Sequence, residues 1–129
     1  SAGGPAALAT LSGLCDEVTR VLGRTPVVAA LGLAFKPNID DLRESPALNI
    51  AVELADQFSA SAVLVAEPHV EALPAKLQGK ANVELVSAAD AIARADVILL
   101  LVDHDAFADL APSAAGKRVI DTRGQWRRG

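Results

Sequence analysis

The sequence predicts an α/β fold: an open, parallel five-stranded sheet with helices on both faces, preceded by one amino-terminal helix. Three observations carry this. Short apolar stretches at 27–31, 62–66, 82–86, 97–102 and 118–121 are separated by segments with helical apolar spacing. The stretches 27–31 and 97–102 are apolar on both faces, the pattern of a parallel strand covered by helices. Because helices alternate with strands, right-handed crossovers return the chain to one parallel sheet.

The first element is a helix over 6–22, where Leu8, Leu11, Leu14, Cys15, Val18, Val21 and Leu22 recur every three or four positions. Gly13 lies inside it at a cost of about 1 kcal/mol relative to alanine, and Gly23 stops it where a left-handed residue is favoured. Pro26 opens the first strand. After Gly32 a polar stretch rich in turn formers leads to Ser45-Pro46, a helix start: the hydroxyl accepts from an orphan amide, and proline brings a preset φ with no amide to orphan. That helix continues through Ala47, Ile50, Ala51, Leu54, Ala55 and Phe58. The second strand, 62–66, is closed by Glu67-Pro68, and a short helical turn near 70–77 leads to 82–86, whose alternating side chains suit a strand nearer the sheet edge. Ser87 caps a helix over 88–95, and Asp96 precedes the most apolar strand, 97–102. A helical segment at 106–110 and a break at Pro112 precede the fifth strand, and residues 122–129 read as loop. In such a sheet ligands bind beyond the carboxyl ends of the strands, near the reversal of strand order, which selects the loops after Leu31, Ala66, Val102 and Asp121.

Composition narrows the function. The 129 residues carry a formal charge of −4, 51% hydrophobic residues and one cysteine, which suits a single soluble domain that folds without disulfide or metal. Cys15 cannot make an internal bridge, and a free thiol suits a reducing compartment, so a cytoplasmic location is expected. The longest apolar run falls far short of the roughly 18 to 20 residues of a membrane span. Methionine is absent, and with the start Ser1-Ala2-Gly3-Gly4-Pro5 the chain reads as a piece of something longer. Residues 1–116 hold 7 basic and 15 acidic side chains, whereas residues 117–129 hold 5 and 1, so anions are drawn to the tail. An acidic chain with 3% aromatics lacks the cationic stripe and stacking platforms of nucleic-acid binders.

The loop after the first strand is where a dinucleotide fingerprint would lie. It reads Gly32-Leu33-Ala34-Phe35-Lys36-Pro37, with one glycine instead of the three of GxGxxG, and the next helix starts too late for a pyrophosphate to rest on its amino end. The loop instead offers two cations, Lys36 and Arg43. Arg43 has the planar fork suited to bidentate phosphate contact, and Lys36 is a movable point charge. The alternative is that Arg43 pairs with Asp40, Asp41 or Glu44 while Lys36 is solvated. Arg123, directly after the fifth strand, either reaches the same edge or is a solvated tail arginine; Arg127 and Arg128 read as solvated, and Trp126 as a packing residue. His69 and His104 lack the paired spacing of a metal site and read as ordinary loop histidines, so no metal is expected. Glu67 stands where a ribose-binding acid would, but without the glycine fingerprint it reads as a strand-end cap or turn residue. Cys15 has no base nearby in sequence and reads as a core thiol. No complete catalytic set is visible.

The run Gly32-Leu33-Ala34-Phe35-Lys36-Pro37-Asn38-Ile39-Asp40-Asp41-Leu42-Arg43-Glu44-Ser45-Pro46 resembles the start of the carboxyl-terminal UDP-binding domain of the UDP-glucose/GDP-mannose dehydrogenase family. The resemblance continues through Glu67-Pro68-His69, Ala95-Asp96-Val97 and Asp121-Thr122-Arg123-Gly124, covering residues 25–129. Within the family, Ala66-Glu67-Pro68-His69-Val70 and Leu101-Val102-Asp103-His104-Asp105-Ala106-Phe107 look more like the branch oxidising UDP-N-acetyl-D-mannosamine than the UDP-glucose branch, which usually has tyrosine and aspartate before that proline.

The resemblance implies a Rossmann-like UDP-sugar-binding domain over 25–129, with residues 1–24 as the end of the central helix joining the two domains of such enzymes. It implies a role in an NAD-dependent oxidoreductase of polysaccharide biosynthesis, which converts the sugar C6 alcohol to a carboxylate with two NAD⁺ and a cysteine that holds the aldehyde. Cys15 has none of that cysteine's glycine-rich surroundings, and the NAD fingerprint belongs to the family's amino-terminal domain, so this piece is expected to be inactive alone. By the same resemblance Lys36 contacts the nucleotide sugar, Arg123 contacts the substrate, and Arg43 reaches across the domain cleft to NAD. The implied partners are a UDP-sugar, the amino-terminal domain of the same enzyme and, in full length, further copies of itself; neither nucleic acid nor a membrane is implied. Three other readings stay open: a UDP-glucose 6-dehydrogenase domain, a stand-alone nucleotide-sensing module, or an assembly domain that self-associates through the apolar face of its first helix.

Overall fold

A computed structural model describes residues 3–33, 46–68, 71–102, 107, 110 and 117–121. The elements follow the expected order: α1 (Gly3–Leu22), β1 (Val28–Leu31), α2 (Pro46–Gln57), β2 (Val63–Ala66), β3 (Val83–Leu85), α3 (Ala88–Arg94), β4 (Val97–Leu100) and β5 (Arg118–Asp121). α1 ends as its sequence dictates. Gly23 adopts φ +71° and its N–H donates to the Thr19 carbonyl at 2.8 Å, closing the last turn. The Ser87 side chain caps α3 by accepting from the Asp90 N–H at 3.1 Å. The short helical turn read near 70–77 is a single turn at residues 75–79. The Leu77 and Gln78 N–H groups both reach back to the Pro74 carbonyl, and Gly79 at φ +81° ends the winding before a helix can propagate.

All strand pairs are parallel, in the order β3-β2-β1-β4-β5. From β1 the chain first steps through α2 to β2 and β3, then returns through α3 to β4 on the other side of β1. Crossovers of one hand that travel in opposite directions must pass over opposite faces of the sheet. The core shows this. Val28, Ala30, Val63, Val65, Val97 and Leu99 pack under α1 and α2, while Ala29, Leu31, Leu64, Ala66, Ile98 and Leu100 pack under α3 and Phe107. Successive residues alternate faces, as the pleat requires.

The apolar stripe of α1 is spent inside the molecule. Leu8, Leu11, Cys15 and Val18 are buried against the sheet and α2, and Leu14 packs against the same cluster. This corrects the assembly reading, which needs that face exposed; only Val21 and Leu22, at the end of the helix, stand out among its described large apolar residues.

Candidate functional site at the carboxyl rim of the sheet

Strand order reverses between β1 and β4, so the crevice beyond their carboxyl ends is where an open sheet of this kind takes a ligand. The described residues form the floor of that crevice. The Gly32 N–H donates to the Ala66 carbonyl at 2.8 Å, and the Leu101 N–H donates to the Leu31 carbonyl at 3.0 Å, so the strands stay in register to their ends. Gly32 then turns with φ +95°. A Cβ there would lie 2.6 Å from Val102 Cβ and 3.3 Å from Phe107 Cε2. The space a side chain would take there belongs to Val102 and Phe107, both buried. Their distance along the chain hid the contact from any local pattern.

Glu67 follows β2 and is 6% exposed. Its Oε1 accepts from the Leu33 N–H at 2.8 Å, so the carboxylate turns inward to the exit of β1 and acts as the strand-end cap that its position suggested. Beside it an open cleft of about 490 Å³ runs between the ends of β2 and β3 and the start of α3, lined by Ala66, Glu67, Pro68, Leu85, Val86, Ser87 and Ala88.

Lys36, Arg43 and Arg123 lie outside the described residues, as do His69, His104, Trp126, Arg127 and Arg128. The described chain leads to each of the three candidate cations from one side: from Leu33 at the end of β1, from Pro46 at the start of α2, and from Asp121 at the end of β5. Among the described residues no group of three or more potential metal ligands occurs. No described helix is long and apolar enough to cross a membrane.

The remaining candidates have structural tasks. Cys15 is buried in the core beneath α1, and burial, with the nearby Asp16 charge, pushes its thiol up to about 11. At the opposite, amino rim, Asp96 accepts from both guanidinium nitrogens of Arg24, at 2.8 and 3.1 Å, and from the Val27 N–H at 2.8 Å. Burial pushes the Asp96 carboxyl upward, but the bonds from Arg24 and Val27 and the charges of Arg24 and Lys117 outweigh it, holding it below the usual carboxylate range. Arg118 ties β5 to Glu17 of α1.

A five-stranded parallel sheet with helices on both faces and its crevice at the β1/β4 switch point defines the class: an α/β domain of the nucleotide-binding kind. The UDP binding domain of the UDP-glucose/GDP-mannose dehydrogenase family matches residues 29–128, and the chain belongs to that family. It is 52% identical over 104 residues to an NDP-N-acetyl-D-galactosaminuronic acid dehydrogenase of Ralstonia nicotianae, covering 80% of this chain and 24% of that relative. It is 50% identical over 94 residues to a UDP-N-acetyl-D-mannosamine dehydrogenase of Campylobacter jejuni, covering 73% and 22% respectively. Among solved structures, a UDP-glucose dehydrogenase of Pyrobaculum islandicum superposes with a TM-score of 0.66 at 28% identity, over 88% of this chain and 26% of that one. A GDP-mannose dehydrogenase of Pseudomonas aeruginosa, in a ternary complex, gives 0.60 at 28% identity, over 83% and 27%. The chain thus spans roughly a quarter of the length of the relatives it matches.

Proposed function

We propose that this chain binds the nucleotide half of a UDP-sugar at the carboxyl rim of its sheet and serves as the substrate-binding domain of an NAD-dependent UDP-sugar 6-dehydrogenase. In this reading Lys36 and Arg123 contact the UDP-sugar, Arg43 reaches NAD held by another domain, and residues 1–24 are the end of the helix that joins the two. The observation that supports it is that β1 and β5, the strands that the Lys36 and Arg123 segments follow, end on the same carboxyl rim on either side of β4, in a chain of this family. A doubly negative diphosphate suits such a rim, because a bidentate arginine and a mobile lysine both gain strength where water is partly excluded.

The domain's own first-strand turn does not fit a dinucleotide. The loop after β1 has one glycine where a dinucleotide fingerprint has three, so in this reading the cofactor is held by another domain and no step is routed through this one. An acetamido sugar is the favoured substrate, since relatives at 46–52% identity are named for N-acetylated hexosamine nucleotides.

Calorimetric titration of the chain with UDP tests the reading. UDP binding is expected, with Lys36→Ala and Arg123→Ala each weakening it by about tenfold or more, as loss of a charge-assisted contact does. Absence of binding at millimolar UDP would refute it. Arg43→Ala is expected to leave UDP binding unchanged and, in a full-length enzyme, to raise KM for NAD.

A further inference from the structure

The connector from α1 to β1, residues 23–27, is held at both of its ends by the same carboxylate. Asp96, directly before β4, accepts from both guanidinium nitrogens of Arg24, just past the helix, at 2.8 and 3.1 Å. The same side chain accepts from the Val27 N–H, at the entry to β1, at 2.8 Å. Between these two anchors the Thr25 hydroxyl donates to the Ala60 carbonyl at 3.4 Å, in the turn after α2, and Pro26, whose ring fixes its φ, is buried. The helix itself is fastened along its length. Leu8, Leu11, Cys15 and Val18 share one buried cluster with Val28, Ala30, Val97 and Leu99, so about three turns of α1 are seated on the sheet. Glu17, on the same helix, pairs with Arg118 at the start of β5. A joint that bends needs the reverse: few buried contacts and a connector without partners.

We infer that α1 and the sheet move as one rigid body. The connector 23–27 is a lock and not a hinge, so a domain joined to the amino end of this helix can turn against the sheet only by bending ahead of Leu8. The inference deepens the proposed function, on which the existence of that other domain rests. It makes the end of the joining helix part of the UDP-binding domain, and places the structural boundary ahead of Leu8 instead of at residue 25.

The test uses the 129-residue chain in NMR and needs no ligand. Residual dipolar couplings of the amides at 8–22 and of those in the five strands are expected to fit a single alignment tensor. The heteronuclear NOEs of residues 23–25 and 27 are expected to equal those of the strands. Two different tensors, or NOEs in the connector that fall to the level of chain ends, would overturn the inference. Arg24→Ala then opens one end of the lock and leaves the Val27 bond in place. Because the pair is half-exposed, the effect is modest: amide exchange at 19–23 should quicken by about two- to fivefold, against less than about twofold within β1 and β4. Arg24→Lys, which keeps a cation for Asp96, should recover part of that protection. Equal acceleration at all of these amides, or none at 19–23, counts against the lock and overturns it. Should Arg24→Ala not fold, the couplings of the parent decide. A chain that binds no UDP sinks the proposed function and leaves the couplings untouched, whereas two tensors in a chain that does bind UDP sink only the rigid body.

Discussion

Replacing Gly32 with alanine introduces one methyl group at the most constrained turn described. Two penalties add. The backbone sits at φ +95°, where a side chain costs about 1–2 kcal/mol. The new Cβ would also lie 2.6 Å from Val102 Cβ and 2.9 Å from Val102 Cγ2, and since Val102 is anchored in the core the strain of overpacking adds about 1–3 kcal/mol. Gly32→Ala should therefore lose about 2–5 kcal/mol, a large share of the 5–15 kcal/mol typical of a domain. Urea unfolding followed by far-ultraviolet circular dichroism measures it, with the slope expected to be unchanged and the midpoint to fall. Gly13→Ala is the internal control: it lies in α1 with nothing within 4 Å of the added Cβ, so it should gain about 0.5–1 kcal/mol. A Gly32→Ala loss below about 1 kcal/mol would refute the argument, because Val102 and Phe107 would then have room to yield.

Other consequences follow from the same contacts. Cys15, with its thiol pushed up to about 11, should react with a disulfide reagent at pH 8 about a hundredfold more slowly in the folded chain than in urea, from its lowered thiolate fraction alone; equal rates would place it at the surface. Asp96→Ala leaves the Val27 N–H without its carboxylate acceptor and should cost about 1–3 kcal/mol in denaturant unfolding. Because the folded pKa of Asp96 lies below its unfolded value, its stabilisation is present above about pH 4 and is lost as the pH falls through the folded value; Asp96→Asn should flatten that acid limb, and an unchanged limb would assign it to other carboxylates. Asn82→Ala frees the Ala55 and Ser61 carbonyls, each now accepting from its side-chain amide at 3.1 Å, and should cost about 1–3 kcal/mol in the same assay.

What could be read without coordinates follows from how local each signal is. β1, β2 and β4 were legible because a parallel strand buried on both faces reads as an uninterrupted apolar run; the more exposed edge strand Arg118–Asp121 was also placed to the residue. Gly23 and Ser87 were legible because a stop and a cap act on their own helix within four residues. The occupant of the space beside Gly32 was not legible, since Val102 belongs to another strand and meets the glycine only once β1 and β4 pair. Glu67 was singled out by position, but its partner Leu33 could not be, because the register of β1 against β2 decides which amide it faces. The burial of the α1 stripe within the chain likewise needed the strand order, which places β4 and β5 beneath it. The three candidate cations rest on their places after β1 and β5 and on the family resemblance, and they lie outside the described residues.

β1 is the central strand, and it is pinned at both ends by carboxylates from its two neighbours. Asp96, directly before β4, accepts from the Val27 N–H at the entry; Glu67, directly after β2, accepts from the Leu33 N–H at the exit. The two bonds have the same length, 2.8 Å, but differ in setting. The Asp96 side chain is 19% exposed and pairs with a half-exposed Arg24, so salt and acid both reach it. Glu67 is 6% exposed, so salt screens its bond less. Loss of the Asp96 bond, at the rim opposite the proposed site, should lower stability without changing affinity for UDP at temperatures where the chain stays folded. If Asp96→Ala weakened UDP binding in proportion to the stability it removes, the rim would be responding to the firmness of the whole sheet, and β1 would transmit strain from one end to the other.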